Sequence, residues 1–337
     1  GREVLACAVT VDRDMTVTLP ETFDQKILTD SPELPGRIIS PAEGYTLALD
    51  IGTTTLVCSL LDGSGRELAV AACPNPQAGY GADVVTRIRE ALDGRMEELT
   101  RLVRSALEEL GLRGCREAGI AAFTGDGLNR DFFNAGCAAL EKSGFSVPTV
   151  KPWHKELVFE KIDQAKASGA KLIAMDIDAA GLPFLKNMQP PAGSKTVEQL
   201  KQIAQWAEKP FILKGIMTVK GALKAKEAGA AGIVVSNHGG RVLDQCPATA
   251  EVLCDIVDAL KGSGVKVIVD GGIRTGVDVF KALAMGADAV IICRPFVPMV
   301  YGGGEEGVKL YIDKIGAELE DTMAMCGAKT LADITRD

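Results

Sequence analysis

The chain has 337 residues and only two histidines, and one of them, His238, stands in the segment VVSNHGGRVLDQ at residues 234–245. A neutral imidazole takes up a proton near neutral pH, because its unperturbed pKa is about 6.5. The two glycines that follow let a flat ligand approach the backbone, and the planar guanidinium of Arg241 suits a carboxylate. The segment therefore predicts a base beside an anion-binding arginine. The alternative, a histidine that only caps the next helix, stays open.

Other polar residues also end apolar runs. Lys214 closes the run FILK, where an ammonium group can neutralise negative charge that develops on a bound ligand. The segments DGGIRTG (270–276) and CRPF (293–296) each place an arginine after an apolar run. Backbone N–H groups at such turns, followed by a helix N-terminus, form a common phosphate site. As an ordered set, these segments predict a bound phosphate group.

The elements that position these residues follow a strict rotation from about residue 115 onward. Short apolar runs, each ending in a polar or Gly-rich turn, alternate with amphipathic helical patterns such as TVEQLKQIAQWAEK. This rotation predicts βα units and a parallel sheet buried on both faces. The seven runs are 119–127, 146–153, 170–181, 210–215, 231–240, 265–272 and 287–295.

Seven such units predict an α/β fold, a TIM (β/α)8 barrel that lacks one strand, with its chemistry at the strand C-termini. A doubly wound open sheet is the alternative, but its Gly-rich fingerprint would follow the first strand, and here the glycines cluster after the last three. The first part of the chain reads differently, as a small α+β segment. We expect a β-rich tail and linker at 1–37, an α+β unit at 38–112 and the barrel at 113–337.

Composition excludes several classes of protein. A formal net charge of -8 and the lack of Lys/Arg runs argue against nucleic acid as a partner. No apolar stretch is long enough to span a membrane, and no signal peptide is apparent. The nine cysteines are scattered without a C-x-x-C pair, which predicts free thiols in a reducing cytoplasm and neither a zinc site nor disulfides.

The ordered motifs K-G, S-N-H-G-G-R, D-G-G-I-R-x-G and R-P, over about residues 114–337, resemble the FMN-dependent α-hydroxy acid oxidase and dehydrogenase family. The segments GIAAFTGDG, MDIDAAGL and YGGGEEGVKLYIDKIGAEL are similar to its clostridial-type branch. The resemblance implies an FMN-dependent oxidoreductase that oxidises a small 2-hydroxy acid or related anion. It also implies a homo-oligomer, since homotetramers are common in that family.

The resemblance assigns roles by position. His238 would take the substrate α-proton as a hydride equivalent goes to flavin N5, Asp178 would orient and charge-stabilise His238, and Arg241 would bind the substrate carboxylate. No metal is implied. The other matching positions would contact FMN: Lys214 at the flavin N1/C2 edge, Ser236 and Thr124 at the ring, Asp270 at the ribityl chain, and Gly271, Gly272, Arg274, Cys293 and Arg294 at the phosphate.

The sequence departs from the family pattern at three places. Lys151 stands where the family offers a substrate-binding tyrosine, and we expect it to contact the substrate instead. The segment DIDAAGLPFL lacks the second carboxylate-binding arginine, so half of the usual clamp is absent. Cys293 replaces the usual glycine before the last Arg-Pro pair.

Residues 1–110 resemble a different family, the reductive activators of corrinoid-dependent enzymes. LACAVTV is similar to the end of their ferredoxin domain, and LALDIGTTTLVCSLLD to the start of their actin/Hsp70-type ATPase domain. The later nucleotide-binding segments do not follow, and Cys7 alone remains of the cluster cysteines, so neither ATPase nor iron–sulfur activity is expected. We expect 46–52 to replace the missing first barrel strand. Alternatives to the oxidase are a catalytically defective FMN- or phosphate-binding barrel and an FMN-dependent isomerase.

Overall fold

The structure is a computed structural model that describes residues 46–51, 55–61, 67–81, 84–127, 130–144, 146–182, 185, 187 and 192–336. The expected β-rich tail, the linker, Cys7 and positions 52–54 lie outside the described residues. The expected division at 112/113 falls within one continuous helix, Met96–Glu117, and stays a prediction.

An antiparallel sheet opens the described chain. It contains β1 (Thr46–Ile51), β2 (Thr55–Leu61) and β3 (Glu67–Pro74) in the order β1-β2-β3. The expectation that 46–52 replaces a barrel strand is wrong, because β1 pairs antiparallel with β2 from Thr46↔Leu61 to Ile51↔Leu56. A partner a few residues away in sequence costs far less loop-closure entropy than a distant parallel strand.

Two helical segments follow this sheet. Helix α1 (Val84–Glu90) leads through a π-helical turn (Ala91–Arg95) into α2 (Met96–Glu117). The turn contains Gly94 at φ 96°, a conformation that glycine adopts readily. The long helical pattern of the sequence is thus one helical stretch with a kink.

The second sheet has seven parallel strands in simple chain order and is curled into part of a barrel. All seven apolar runs form strands, which confirms the predicted α/β architecture. Among the described strands, β4 and β10 are the two edges. The strands are β4 (Ala122–Thr124), β5 (Ser146–Val150), β6 (Ile173–Asp176), β7 (Phe211–Ile216), β8 (Gly232–Val235), β9 (Lys266–Asp270) and β10 (Ala289–Ile291).

Helices connect these strands and cover the outside of the sheet. Several begin at a threonine whose hydroxyl caps the first turn, such as Thr196, Thr218 and Thr275. The helices are α3 (Arg130–Ser143), α4 (Lys155–Ala167), α5 (Val197–Ala207), α6 (Val219–Glu227), α7 (Thr249–Leu260), α8 (Gly276–Ala284) and α9 (Phe296–Met325).

Strand residues alternate between two apolar clusters. One set, including Met175, Leu213 and Ile233, packs outward against the helices. The other set packs on the inner face of the curled sheet: Val147, Ala174, Ile212 and Val234. Because successive strand side chains point to opposite faces, the positions two residues further along each strand also face inward.

Helix α9 joins the two sheets. It packs on β1, β2 and β3 as well as on α2 and α8. It bends at Gly304, where φ is 50° and ψ is -130°. None of the described helices is both long and apolar enough to cross a membrane.

Candidate active site

A row of polar side chains follows the inner apolar cluster at the C-terminal edge of the parallel sheet. Asp176 and Lys214 come two residues after Ala174 and Ile212, Ser236 comes two after Val234, and Lys151 lies at an inward position just past β5. The parallel register places Asp176 directly beside Lys214. The alternation of side chains along the strands thus places these polar residues in one row, next to the inner apolar cluster.

Charges alternate along this row. Lys151 Nζ lies 2.9 Å from Asp176 Oδ2, Lys214 Nζ lies 3.3 Å from Asp176 Oδ1, and Lys214 Nζ lies 3.4 Å from Asp270 Oδ2. Each acid is therefore flanked by an ammonium group, which is the condition for burying charge at tolerable cost.

The electrostatics of Asp176 follow from these neighbours. Burial raises the pKa of its carboxyl, but the ammonium groups of Lys214 and Lys151 outweigh burial and hold the pKa at about 2. The pKa of Lys214 is lowered by burial, and the carboxylates of Asp176 and Asp270 more than offset this, so it lies above its usual value. Both groups are charged at neutral pH.

His238 stands at the end of β8, as predicted, and contacts the expected carboxylate. Its Nδ1 lies 3.1 Å from Asp178 Oδ2 and 3.9 Å from Asp176 Oδ1, and its side chain is 14% exposed. A carboxylate accepts hydrogen bonds only, so Nδ1 carries the proton and Nε2 carries the lone pair of the neutral ring. Arg241 Nη2 lies 2.5 Å from that Nε2.

Glycines make this arrangement possible. His238 itself has φ 55°, and Gly239 has φ 69°, so the chain turns sharply after β8. A Cβ on Gly239 would lie 2.5 Å from Arg294 Nη2, and a Cβ on Gly215 would lie 2.6 Å from the Cβ of Asp178. The missing side chains therefore let Arg294 and Asp178 approach the backbone.

The predicted phosphate segment forms two turns beside this site. Gly271 and Gly272 have φ 86° and 83°, and apart from the chain neighbours no atom of the described residues lies within 4 Å of the place where a Cβ of Gly272 would stand. Arg274 is exposed and donates to the Gly272 carbonyl at 3.3 Å. Cys293 and Arg294 are exposed after β10.

Other predicted residues are placed differently from the central group. Lys151 is buried, with its ammonium turned to Asp176, so it is not a free cation for a substrate. Ser236 is fully buried; its hydroxyl accepts from Lys214 Nζ and from the His238 N–H, both at 3.1 Å. Thr124 is buried at the end of β4, three strands away from Lys214.

Two carboxylates near the site were missed in the sequence. Asp176 was passed over in favour of Asp178, although its inward position beside Lys214 follows from strand alternation. Asp126, just after β4, accepts from Lys161 Nζ at 2.8 Å, Trp153 Nε1 at 2.6 Å and the Lys151 N–H at 3.1 Å. No sequence motif marks this cluster, because its members come from three separate elements.

Asp176, Asp178 and His238 hold ligand atoms within 4.8 Å of one another, a spacing that a cation could bridge. Lys151 and Lys214 already balance Asp176, however, so the charge that would attract a cation is compensated within the protein. Six of the cysteines in the described part of the chain are free thiols, as predicted: Cys115, Cys137, Cys246, Cys254, Cys293 and Cys326.

Comparison with known proteins identifies two segments. A family model described as FMN-dependent dehydrogenase matches residues 185–337, and one described as RACo middle region matches residues 45–124. The second match overlaps the segment in which the sequence resembles reductive activators of corrinoid-dependent enzymes.

Individual relatives agree with the first match. The chain is 39% identical over 220 residues to peroxisomal (S)-2-hydroxyacid oxidase GLO3 of Arabidopsis thaliana, covering 54% of this chain and 60% of that protein. It is 46% identical over 142 residues to L-lactate oxidase of Roseobacter sp. (strain GAI101), covering 42% and 38%. The chain thus spans less than two thirds of the length of these relatives.

Solved structures extend the match to the fold. Lactate oxidase of Pediococcus acidilactici superimposes with a TM-score of 0.60 at 31% identity, covering 68% of this chain and 70% of that chain. Mandelate oxidase with 3,3-difluoro-2-hydroxy-3-phenylpropionic acid gives 0.57 at 31% identity, covering 68% and 72%. On these matches and the strand-end geometry, the chain belongs to the FMN-dependent α-hydroxy acid oxidase family.

Proposed function

We propose that this protein oxidises a small 2-hydroxy acid with FMN as cofactor, and that His238 is the base. The observation that carries the proposal is the imidazole held between Asp178 and Arg241 at the end of β8, next to the mostly buried ammonium of Lys214. A base, an anion-binding cation and a fixed positive charge are the groups that such a reaction needs.

The residues present fit FMN. The Oδ1 atom of Asp270 is buried and has no hydrogen-bond partner among the described groups, so it would accept from a ribityl hydroxyl. The open space over Gly272 and the exposed guanidinium groups of Arg274 and Arg294 suit a phosphate. FMN, when bound, supplies a ring whose N5 accepts a hydride equivalent.

In the proposed reaction, His238 Nε2 accepts the proton that the substrate loses. The imidazole then becomes positive, and the carboxylate of Asp178 at 3.1 Å stabilises that charge. Asp178 also fixes the tautomer, since it holds the proton on Nδ1. Ser236 fixes the turn by accepting from the His238 N–H.

Arg241 binds the substrate carboxylate in this proposal. Its guanidinium is exposed at the rim, and a two-pronged contact orients the acid with its α-carbon near the base. Lys151 does not serve as a second prong, because Asp176 holds its ammonium. A single arginine suits a substrate with one carboxylate, in line with the 2-hydroxyacid and lactate substrates in the names of the relatives.

Flavin absorbance tests the proposal. FMN-loaded protein is mixed anaerobically with glycolate, L-lactate and (S)-mandelate, and bleaching of the flavin bands is followed. At least one acid should bleach the flavin, and His238→Gln should slow that bleaching by a factor on the order of 10² to 10⁴. Equal bleaching rates in the wild type and His238→Gln would rule out the assigned base.

A second candidate is a barrel that binds FMN without catalysis. The two unpaired edges of the described parallel sheet, at β4 and β10, favour it, as does the single-arginine clamp. Protein that binds FMN yet is not bleached by any of the three acids would support this candidate over the first.

A further inference from the structure

We propose that Arg241 caps the base: its guanidinium occupies the lone pair of His238 Nε2 until a carboxylate draws it away. The inference deepens the proposed function and rests on it. It makes Arg241 a specificity-determining residue, because a ligand without a negative charge would leave the base blocked.

The direction of the contact is fixed by the donors available. The Asp178 carboxylate takes the Nδ1 proton at 3.1 Å, so the neutral ring offers a lone pair at Nε2 alone. A guanidinium has five N–H donors and no acceptor, so the 2.5 Å contact between Arg241 Nη2 and His238 Nε2 is an arginine donating to the ring. The same lone pair is the one that must receive the substrate proton.

Local structure brings the arginine to this place. The left-handed backbone at His238, Gly239 and Gly240 forms a tight turn. This turn brings the Arg241 side chain back to the imidazole of His238. Among the described residues, no carboxylate forms an ion pair with Arg241. An exposed guanidinium held only by a neutral ring exchanges that partner readily for a carboxylate, since charge-assisted bidentate pairs are the stronger contacts.

Histidine reactivity offers a direct test, because the chain has only two histidines. His154→Gln removes the other one, which precedes helix α4 and contacts Glu156. Carbethoxylation of the remaining His238 by diethyl pyrocarbonate is then followed by its ultraviolet absorbance in FMN-supplemented protein. The cap predicts slow modification that acetate accelerates about tenfold, whereas acetamide, which is uncharged and of the same shape, has no effect.

A variant arm sharpens the result. In the His154→Gln background, Arg241→Gln should raise the modification rate about tenfold and remove the response to acetate. Arg130→Gln, which changes an exposed arginine paired with Glu160 on another helix, should behave as His154→Gln alone. Nitrogen NMR of the His154→Gln protein, which needs no change at 241, should show acetate shifting the Nε2 signal of His238 more than the Nδ1 signal.

Equal modification rates with and without Arg241, or acetate that slows modification or shifts neither ring signal, would overturn the cap. These readouts need no turnover, so they separate the cap from the reaction. An acetate response in a protein that no hydroxy acid bleaches would support the cap and contradict the proposed oxidation. Bleaching without an acetate response would do the reverse.

Discussion

Two buried carboxylates, Asp126 and Asp176, lie at the same edge of the parallel sheet and differ in how completely they are satisfied. The Asp126 side chain is 0% exposed, and its two oxygens accept from Lys161, Trp153 and the N–H groups of Gly127 and Lys151. Asp176 holds two ammonium groups, yet its Oδ1 makes no hydrogen bond of good geometry.

The difference separates a structural cluster from the row of the proposed active site. Asp126, Lys151, Trp153 and Lys161 form a buried cluster, called the sealed cluster below, which joins the ends of β4 and β5 to helix α4. Lys161 Nζ also lies 4.5 Å from the centre of the Phe133 ring. Asp176 belongs to a row in which Asp270 likewise keeps a buried oxygen without a partner. Unsatisfied polar atoms cost stability, so the two unpartnered oxygens in the row fit the proposed FMN site.

The largest effect on stability should come from the sealed cluster. Asp126→Asn leaves the Lys161 ammonium buried without a counter-charge, so the free energy of unfolding should fall by about 3–5 kcal/mol. Urea unfolding measures the loss. Asp313→Asn, at an exposed Lys309–Asp313 pair on α9, is the control and should change it by less than about 1 kcal/mol.

Replacing the sealed pair as a whole sharpens the same comparison. Asp126→Leu combined with Lys161→Met removes both charges, so most of the lost stability should return. A double variant as unstable as Asp126→Asn would show that the hydrogen bonds from Trp153 and the backbone, and not the ion pair, hold this corner.

Asp176→Asn should change how the stability of the fold depends on pH. The pKa of Asp176 in the folded state lies at about 2, below the ordinary 3.8. At pH values above 3.8, the ionised carboxylate therefore stabilises the folded state by about 2 kcal/mol. That contribution is lost as pH falls through the folded-state value. Unfolding free energies between neutral pH and pH about 2 should therefore fall less steeply in Asp176→Asn, and an unchanged acid dependence would contradict the assigned ion pairs.

The smallest effect should come from Gly239, and a neighbour provides the matched control. Gly239→Ala and Gly240→Ala both place a side chain at positive φ and should each cost about 1–2 kcal/mol. A Cβ at 239 would meet Arg294, whereas none of the described atoms beyond the two chain neighbours lies within 4 Å of one at 240. A fluorescence titration should therefore show FMN affinity falling about tenfold in Gly239→Ala alone. Equal affinities would remove Arg294 from the phosphate site.

The parallel sheet could be predicted from the sequence because each strand is a local signal. Four to six apolar residues followed by a polar turn need no knowledge of distant residues, and all seven predicted strands are present. The contact between His238 and Asp178 was also expected, but from family resemblance and not from spacing, since 60 residues separate the two.

What sequence reasoning missed depends on register and on contacts between elements. Asp176 is recognisable only when strand alternation is followed across neighbouring strands. The prediction that Lys151 contacts the substrate rested on its position in the family pattern and did not anticipate its ion pair with Asp176, because that pair joins the ends of two strands. The first strand was misplaced for a related reason. β1 is apolar enough for a barrel, but its nearest partner in sequence is β2, and pattern alone does not rank the two pairings.

Helix α9 packs on the antiparallel sheet and α2, and also on helix α8 beside the parallel sheet. Glycines let it lie close to α2, since a Cβ on Gly114 would stand 2.5 Å from the Cβ of Val308, and the same helix lies over the antiparallel sheet. Removing residues 46–117 would expose the surface of α9 that packs on them. Exposed apolar surface of this kind promotes aggregation. We therefore expect the two parts of the described chain to depend on each other for stability.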